Sequence, residues 1–140
     1  MRFCAGLLNK KMKNEKFTII LAEDEKDLME VYSIALGKRF NLFVAENGKE
    51  VLERLKESNG KIDLIVLDIV MPKMDGFDTL RKLKKDNKYK NIPVVMSTNL
   101  SDSRDRDEAI DLGAVKYFVK ADRTPSELAE DIANILIEQK

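Results

Sequence analysis

Short apolar runs alternate along this chain with longer stretches in which apolar residues recur every three or four positions. The runs cover residues 17–22, 40–45, 62–67, 94–96 and 115–119. Runs this short are better read as strands buried on both faces than as core helices, which need more residues. Between them, Leu28, Val31, Tyr32, Ala35 and Leu36 mark a helix over 27–37, with Gly37 near its end. Asn47 can cap a second helix, running to about 58, whose inner face is Val51, Leu52 and Leu55. Phe77, Leu80 and Leu83 lie on one face of a third, from 77 to about 86. A polar helix over 102–112 is stopped by Gly113, and Pro125 opens a last helix with Leu128, Ile132, Ile135 and Leu136 inward. Five strands alternating with five helices imply right-handed crossovers and a parallel sheet covered on both faces.

Polar residues gather where the apolar runs end. The first strand runs into Glu23 and Asp24, the third ends on Asp68, the fourth ends in Ser97 and Thr98, and the fifth stops at Lys120. Pro72 and the pair Asp75-Gly76 turn the chain soon after Asp68. In open parallel sheets ligands sit in the crevice at the carboxyl ends of the strands, where a carboxylate can act as nucleophile or metal ligand. Taken singly, each residue also has a plainer role. Glu23 and Asp24 suit a helix N-terminus, Asp68 a turn, Thr98 a cap and Lys120 a solvated charge.

Composition narrows the chemistry. At 140 residues the chain fits one domain with a single core, and no apolar run approaches the roughly 18 residues of a membrane span. Residues 1–16 hold five Lys or Arg against the single acid Glu15, which leaves 20 basic and 24 acidic residues in the remainder. That mildly acidic body argues against a nucleic-acid surface. The tail is expected to be disordered; its apolar stretch over 3–8 is too short for a secretory signal, and Met12 offers an alternative start. Cys4 is the only cysteine, so no internal disulfide forms and a reducing compartment fits. Histidine is absent, which excludes His-based general bases, Ser-His triads and most zinc sites.

The stretch Asp68-Ile69-Val70-Met71-Pro72-Lys73-Met74-Asp75-Gly76 resembles the phosphoacceptor segment of response-regulator receiver domains, in which an Asp is followed by M-P-x-M-D-G. The resemblance extends over nearly the whole chain. It implies a CheY-like, flavodoxin-like, doubly wound α/β fold: a five-stranded parallel sheet in the order 2-1-3-4-5 with five helices, over residues 17–140. In that order Glu23 and Asp24 lie beside Asp68, with Thr98 and Lys120 arriving from the other side. Three clustered carboxylates raise one another's pKa unless a cation intervenes, and oxygen ligands without His or thiolate favour Mg2+. The resemblance assigns metal ligation to Asp24, Asp68 and the backbone carbonyl of Val70, with Glu23 acting through water.

It further implies that Asp68 accepts a phosphoryl group from a phosphohistidine of a histidine kinase or histidine phosphotransfer protein, assisted by Lys120. Thr98 and the fifth-strand aromatic Tyr117 would then switch a surface made of the fourth helix, fifth strand and fifth helix. That surface would meet an unknown protein target or a second copy in a homodimer, with no nucleic acid or membrane involved. A cytoplasmic, stand-alone receiver is implied, catalysing only its own phosphorylation and dephosphorylation. Ile137, off the inner face of the last helix, reads as a partner contact or a stray exposed apolar residue.

The chain departs from the family pattern at three places. Lys120 is followed by Ala121 and Asp122 where the family has Pro with a cis bond, so a trans peptide and a rerouted loop are expected, with Asp122 competing for the lysine. Asn99 stands where the family prefers Ala or Gly and narrows access to the site. Val70 and Leu100 are apolar at positions where a polar side chain could orient a hydrolytic water, so a long-lived phosphoryl group is expected. Two other functions compete. An aspartyl-nucleophile phosphatase of the haloacid dehalogenase type also uses Asp, Lys and Mg2+, but it places a second Asp where this chain has Val70. A receiver-like binding module that is not phosphorylated would keep the fold and have no need of the site residues.

Overall fold

The structure, a computed structural model, describes residues 16–138; the expectations for the tail, including Cys4 and Met12, concern residues outside these. Its elements in chain order are β1 (Thr18–Ala22), α1 (Lys26–Gly37), β2 (Asn41–Ala45), α2 (Gly48–Glu57), β3 (Leu64–Leu67), α3 (Gly76–Lys85), β4 (Val94–Thr98), α4 (Ser103–Asp111), β5 (Lys116–Val119), a single 3-10 turn (Lys120–Asp122) and α5 (Pro125–Glu138). The strands form one sheet in the order β2-β1-β3-β4-β5, with every neighbouring pair parallel. This is the doubly wound arrangement that the alternation of strands and helices predicts.

Both faces of the sheet are covered, which explains why the central strands are apolar throughout instead of alternating. Ile20, Ile65, Leu67, Val94 and Met96 pack with Val51 and Leu55 of α2, Leu80 and Leu83 of α3 and Ala109 of α4. Ile19, Leu21, Leu64, Val66 and Val95 pack on the opposite face with Tyr32 and Leu36 of α1 and Leu128, Ile132 and Leu136 of α5. Each buried Val, Leu, Ile or Met side chain contributes roughly 1.5–3 kcal/mol by leaving water. α4 is the least anchored helix, since Ala109 is its one buried residue.

Several boundaries move by a residue or two from the pattern-based reading, and two of the shifts have a visible cause. β3 begins at Leu64, because the Asp63 carboxylate accepts the Thr18 N–H (2.8 Å) and the Asp63 N–H donates to the Thr18 carbonyl (2.7 Å). Those two bonds clamp the entries of β1 and β3 side by side. β2 begins at Asn41, because the Phe40 N–H donates to Leu36 O (2.9 Å) and so still belongs to the end of α1.

Except for α1, the helices start where side chains cap them. Asn47, Asp75 and Asp102 accept the N–H groups of Glu50, Asp78 and Arg104 at 3.0, 2.9 and 2.8 Å. Before α5 a capping box closes reciprocally: Thr124 Oγ1 accepts the Glu127 N–H (3.1 Å) and Glu127 Oε1 accepts the Thr124 N–H (2.9 Å). Three of these caps follow strand carboxyl ends closely, so the helices swing back at once and leave one rim of the sheet open for side chains.

Candidate functional site

That rim is where the acids meet. The register pairs Ala22 with Leu67, Leu67 with Met96 and Thr98 with Val119, so the residues just beyond these strand ends converge. Asp68 is buried; its Oδ1 accepts the Ile69 N–H (2.7 Å) and its Oδ2 accepts the Lys120 ammonium (2.7 Å). The backbone beneath it is fixed by α3. Gly76 N–H donates to Ile69 O (2.8 Å), and a Cβ on Gly76 would stand 2.2 Å from the Asp68 carbonyl. No side chain fits there, which is the physical reason for glycine after Asp75.

Glu23 is more buried still. Its N–H donates to Ala45 O (2.9 Å), Oε2 accepts the Glu25 N–H (3.1 Å) and Oε1 accepts the Lys120 ammonium. Asp24, half-buried, completes the group: Glu23, Asp24 and Asp68 each offer an oxygen, and these atoms lie within 4.8 Å of one another. Hard oxygen donors at that spacing can hold a divalent cation.

Electrostatics in the cluster follow from burial and from one lysine. Burial pushes the Glu23 carboxyl above its ordinary value, against the downward pull of the Lys120 and Glu25 hydrogen bonds. Burial alone would lower the Lys120 ammonium, but its bonds to Asp68 and Glu23 override that and hold it above the usual lysine value. The cation that the acids require is therefore supplied in part by the chain itself.

This arrangement corrects one expectation. Asp122 does not capture Lys120; it is exposed on the 3-10 turn, while the ammonium turns inward to Glu23 and Asp68. The two-acid partnership is the stronger because it is buried, with the lysine side chain only 7% exposed. Among the described residues no peptide bond is cis, so the Lys120–Ala121 bond is trans and the chain leaves β5 through the turn.

The remaining residues of the sequence reading lie at the end of β4 and along β5. Thr98 is buried, and its Oγ1 accepts a long hydrogen bond from the Leu100 N–H (3.4 Å). Tyr117 donates its hydroxyl to the Leu100 carbonyl (2.7 Å), and the Arg106 guanidinium of α4 lies 5.5 Å from its ring centre. Burial and the nearby Asp105 raise the Tyr117 phenol above its ordinary pKa, so it stays protonated and able to donate. Thr98 and Tyr117 thus meet at one loop residue, Leu100. Val70 is 61% exposed in the loop beyond Asp68, and Asn99 is exposed.

Sequence reasoning missed the Leu100 carbonyl and the direct Glu23–Lys120 contact. A half-buried tyrosine needs a partner for its hydroxyl, which was the available signal for the first; nothing in local spacing announces the second.

The response regulator receiver domain family matches residues 19–133. A probable cyclic di-GMP phosphodiesterase of Vibrio cholerae is 35% identical over 103 residues, covering 74% of this chain and 23% of that protein. A probable transcriptional regulator, ycf27, of Porphyridium aerugineum is 33% identical over 126 residues, covering 89% of this chain and 49% of its own length. This chain therefore spans half or less of these curated relatives. Among solved structures, the phosphorylated cyanobacterial phytochrome response regulator RcpA superposes with a TM-score of 0.78 at 25% identity, covering 89% of this chain and 96% of that one. With its doubly wound sheet, its acids at the strand ends and this match across most of its length, the chain belongs to the response regulator receiver domains of two-component signalling.

Proposed function

We propose that this chain is a phosphoacceptor whose Asp68 takes a phosphoryl group from a phosphohistidine. The observation that carries the reading is the buried Asp68 carboxylate, 2.7 Å from the Lys120 ammonium and clustered with Glu23 and Asp24. An Asp68 oxygen attacks phosphorus in line, the P–N bond breaks, and the imidazole leaves with the electron pair and takes up a proton. An acyl phosphate on Asp68 results.

Lys120 meets the charge on the transferring oxygens, because its ammonium already stands on the attacking carboxylate. Asp24, Asp68 and the Val70 carbonyl would hold Mg2+, with Glu23 acting through water, and the ion would supply positive charge to the phosphoryl oxygens. Thr98, at the end of β4, donates its hydroxyl to the new phosphoryl oxygen. Drawing Thr98 toward the phosphoryl oxygen pulls on the long bond that its Oγ1 accepts from the Leu100 N–H, and Tyr117 is bonded to the carbonyl of the same residue. The weakly anchored α4 then shifts, and the α4–β5–α5 surface changes its partner.

Exposed Ile110, Val115 and Ile137 suit a contact on that surface with a target protein or a second copy. The donor is a histidine kinase or histidine phosphotransfer protein, and the chain catalyses only its own phosphorylation and dephosphorylation. It acts in the cytoplasm; among the described residues no helix is long and apolar enough to cross a membrane. Borohydride reduction after treatment with acetyl phosphate and Mg2+, followed by peptide mass mapping, tests the site. Label on Asp68 supports the proposal, and label confined to other residues contradicts it.

A further inference from the structure

Lys120 reaches Asp68 from the end of β5, yet the turn that follows it has no proline to stiffen it. What holds that turn is visible one residue later. The Arg123 N–H donates to the Lys120 carbonyl (3.3 Å), closing the 3-10 turn, and its Nη2 forms an ion pair with Asp131 Oδ2 on α5. Arg123 Nε is buried without a hydrogen-bond partner, so the guanidinium is oriented through its terminal nitrogen by Asp131. Glu127, in the first turn of α5, also feels the Arg123 charge. Immediately after Arg123 the Thr124–Glu127 capping box starts α5. The exit of the turn is thus tied to a helix that packs on the sheet through Leu128, Ile132 and Leu136.

We propose that Arg123 and Asp131 are positioning residues for Lys120: their ion pair fixes the turn and so aims the ammonium at the Asp68 carboxylate. The inference rests on the phosphoacceptor reading above. Neither residue belongs to the acidic cluster, and both are partly exposed, with side chains 36% and 24% accessible. A partly exposed ion pair adds modestly to stability, on the order of 1 kcal/mol, whereas a displaced catalytic group slows a reaction strongly. The signature is therefore a rate effect out of proportion to any loss of stability.

The test compares the unmutated chain with Arg123→Met, Asp131→Asn, the double variant and the charge-swapped Arg123→Asp/Asp131→Arg. Three quantities are read: the rate of phosphorylation by acetyl phosphate, the affinity for beryllofluoride as a phosphoryl analogue in saturating Mg2+, and the affinity for Mg2+ alone. Each single variant is expected to lower the rate and the beryllofluoride affinity about five- to tenfold. Mg2+ affinity is unchanged or raised, because a lysine drawn off Asp68 no longer competes for its oxygens, while the double variant is no worse than the singles and the swap regains most of the lost rate. Unmutated rates in both single variants would overturn the proposal, as would equal losses of Mg2+ and beryllofluoride affinity that track urea stability. Should Arg123→Met not fold, Asp131→Asn decides alone. An unmutated chain that accepts no phosphoryl group overturns the phosphoacceptor reading itself, and this inference with it.

Discussion

The Lys120 ammonium lies 2.7 Å from the Asp68 carboxylate, and the two side chains are 7% and 9% exposed, so the ends of β5 and β3 are joined by a buried ion pair. The same ammonium also meets Glu23, so one positive charge offsets two buried acids. A divalent cation entering between Glu23, Asp24 and Asp68 competes with this lysine for the same oxygens. Metal binding there would therefore be linked to the position of the lysine.

Lys120→Met follows from that linkage. Without the ammonium the buried carboxylates face one another, at a cost of roughly 3 kcal/mol in urea unfolding without metal. Millimolar Mg2+ is expected to restore much of this, and the variant is expected to bind Mg2+ more tightly than the unmutated chain while accepting phosphoryl groups at least about tenfold more slowly. Weaker Mg2+ binding in Lys120→Met would contradict the competition.

Tyr117→Phe removes the hydroxyl that donates to Leu100 O at 2.7 Å. The loss of one half-buried hydrogen bond costs about 1 kcal/mol. Phosphorylation of Asp68 should proceed at close to its normal rate, because Tyr117 is not in the acidic cluster. The change reported by α4 amide resonances on adding beryllofluoride should shrink. An unaltered α4 response would remove Tyr117 from the switch.

Val70 is 61% exposed and Leu100 half-buried, and neither can orient an attacking water. The phosphoryl group is accordingly expected to persist for minutes or longer. Val70→Asn should shorten its lifetime several-fold, as followed by intact mass after removing the donor. A half-life of seconds in the unmutated chain would show that hydrolysis finds another route.

Lys84 on α3 predicts a pH effect away from the site. Its ammonium donates to the Lys90 and Ile92 carbonyls at 3.1 Å each, and burial holds its pKa below the usual lysine value. The folded chain thus releases this proton more readily than the unfolded one, so the lysine's contribution to stability rises with pH between the folded value and the unfolded one, about 10.4. Urea unfolding at pH 7 and pH 10 should show the unmutated chain gaining on Lys84→Met. A gap that stays constant or narrows would reverse the sign assigned to burial.

Much of the fold was legible in the sequence because the apolar runs are short and separated by helix caps and turns. Where the reading slipped, a specific hydrogen bond decided the matter. Asp63 leaves its strand to hold Thr18, and Phe40 finishes a helix instead of opening β2. Asp68, Glu23, Asp24, Thr98 and Lys120 were legible as strand-end residues, and the sheet order then brings their strand ends together. The partner of Lys120 was not. Asp122 is near in sequence, but Glu23, 97 residues away, shares the buried rim with it. Arg123 and Asp131, on a loop and a helix, lie outside any periodic pattern for the same reason.

The most direct test is the intact mass of the protein after incubation with acetyl phosphate, with Mg2+ and with chelator, beside Asp68→Asn. A gain of one phosphoryl group, seen only in the unmutated chain with Mg2+, is the result expected of a buried carboxylate nucleophile in a metal-binding acidic cluster. An unmodified, folded chain under those conditions would contradict the phosphoacceptor assignment and leave the fold as a binding module.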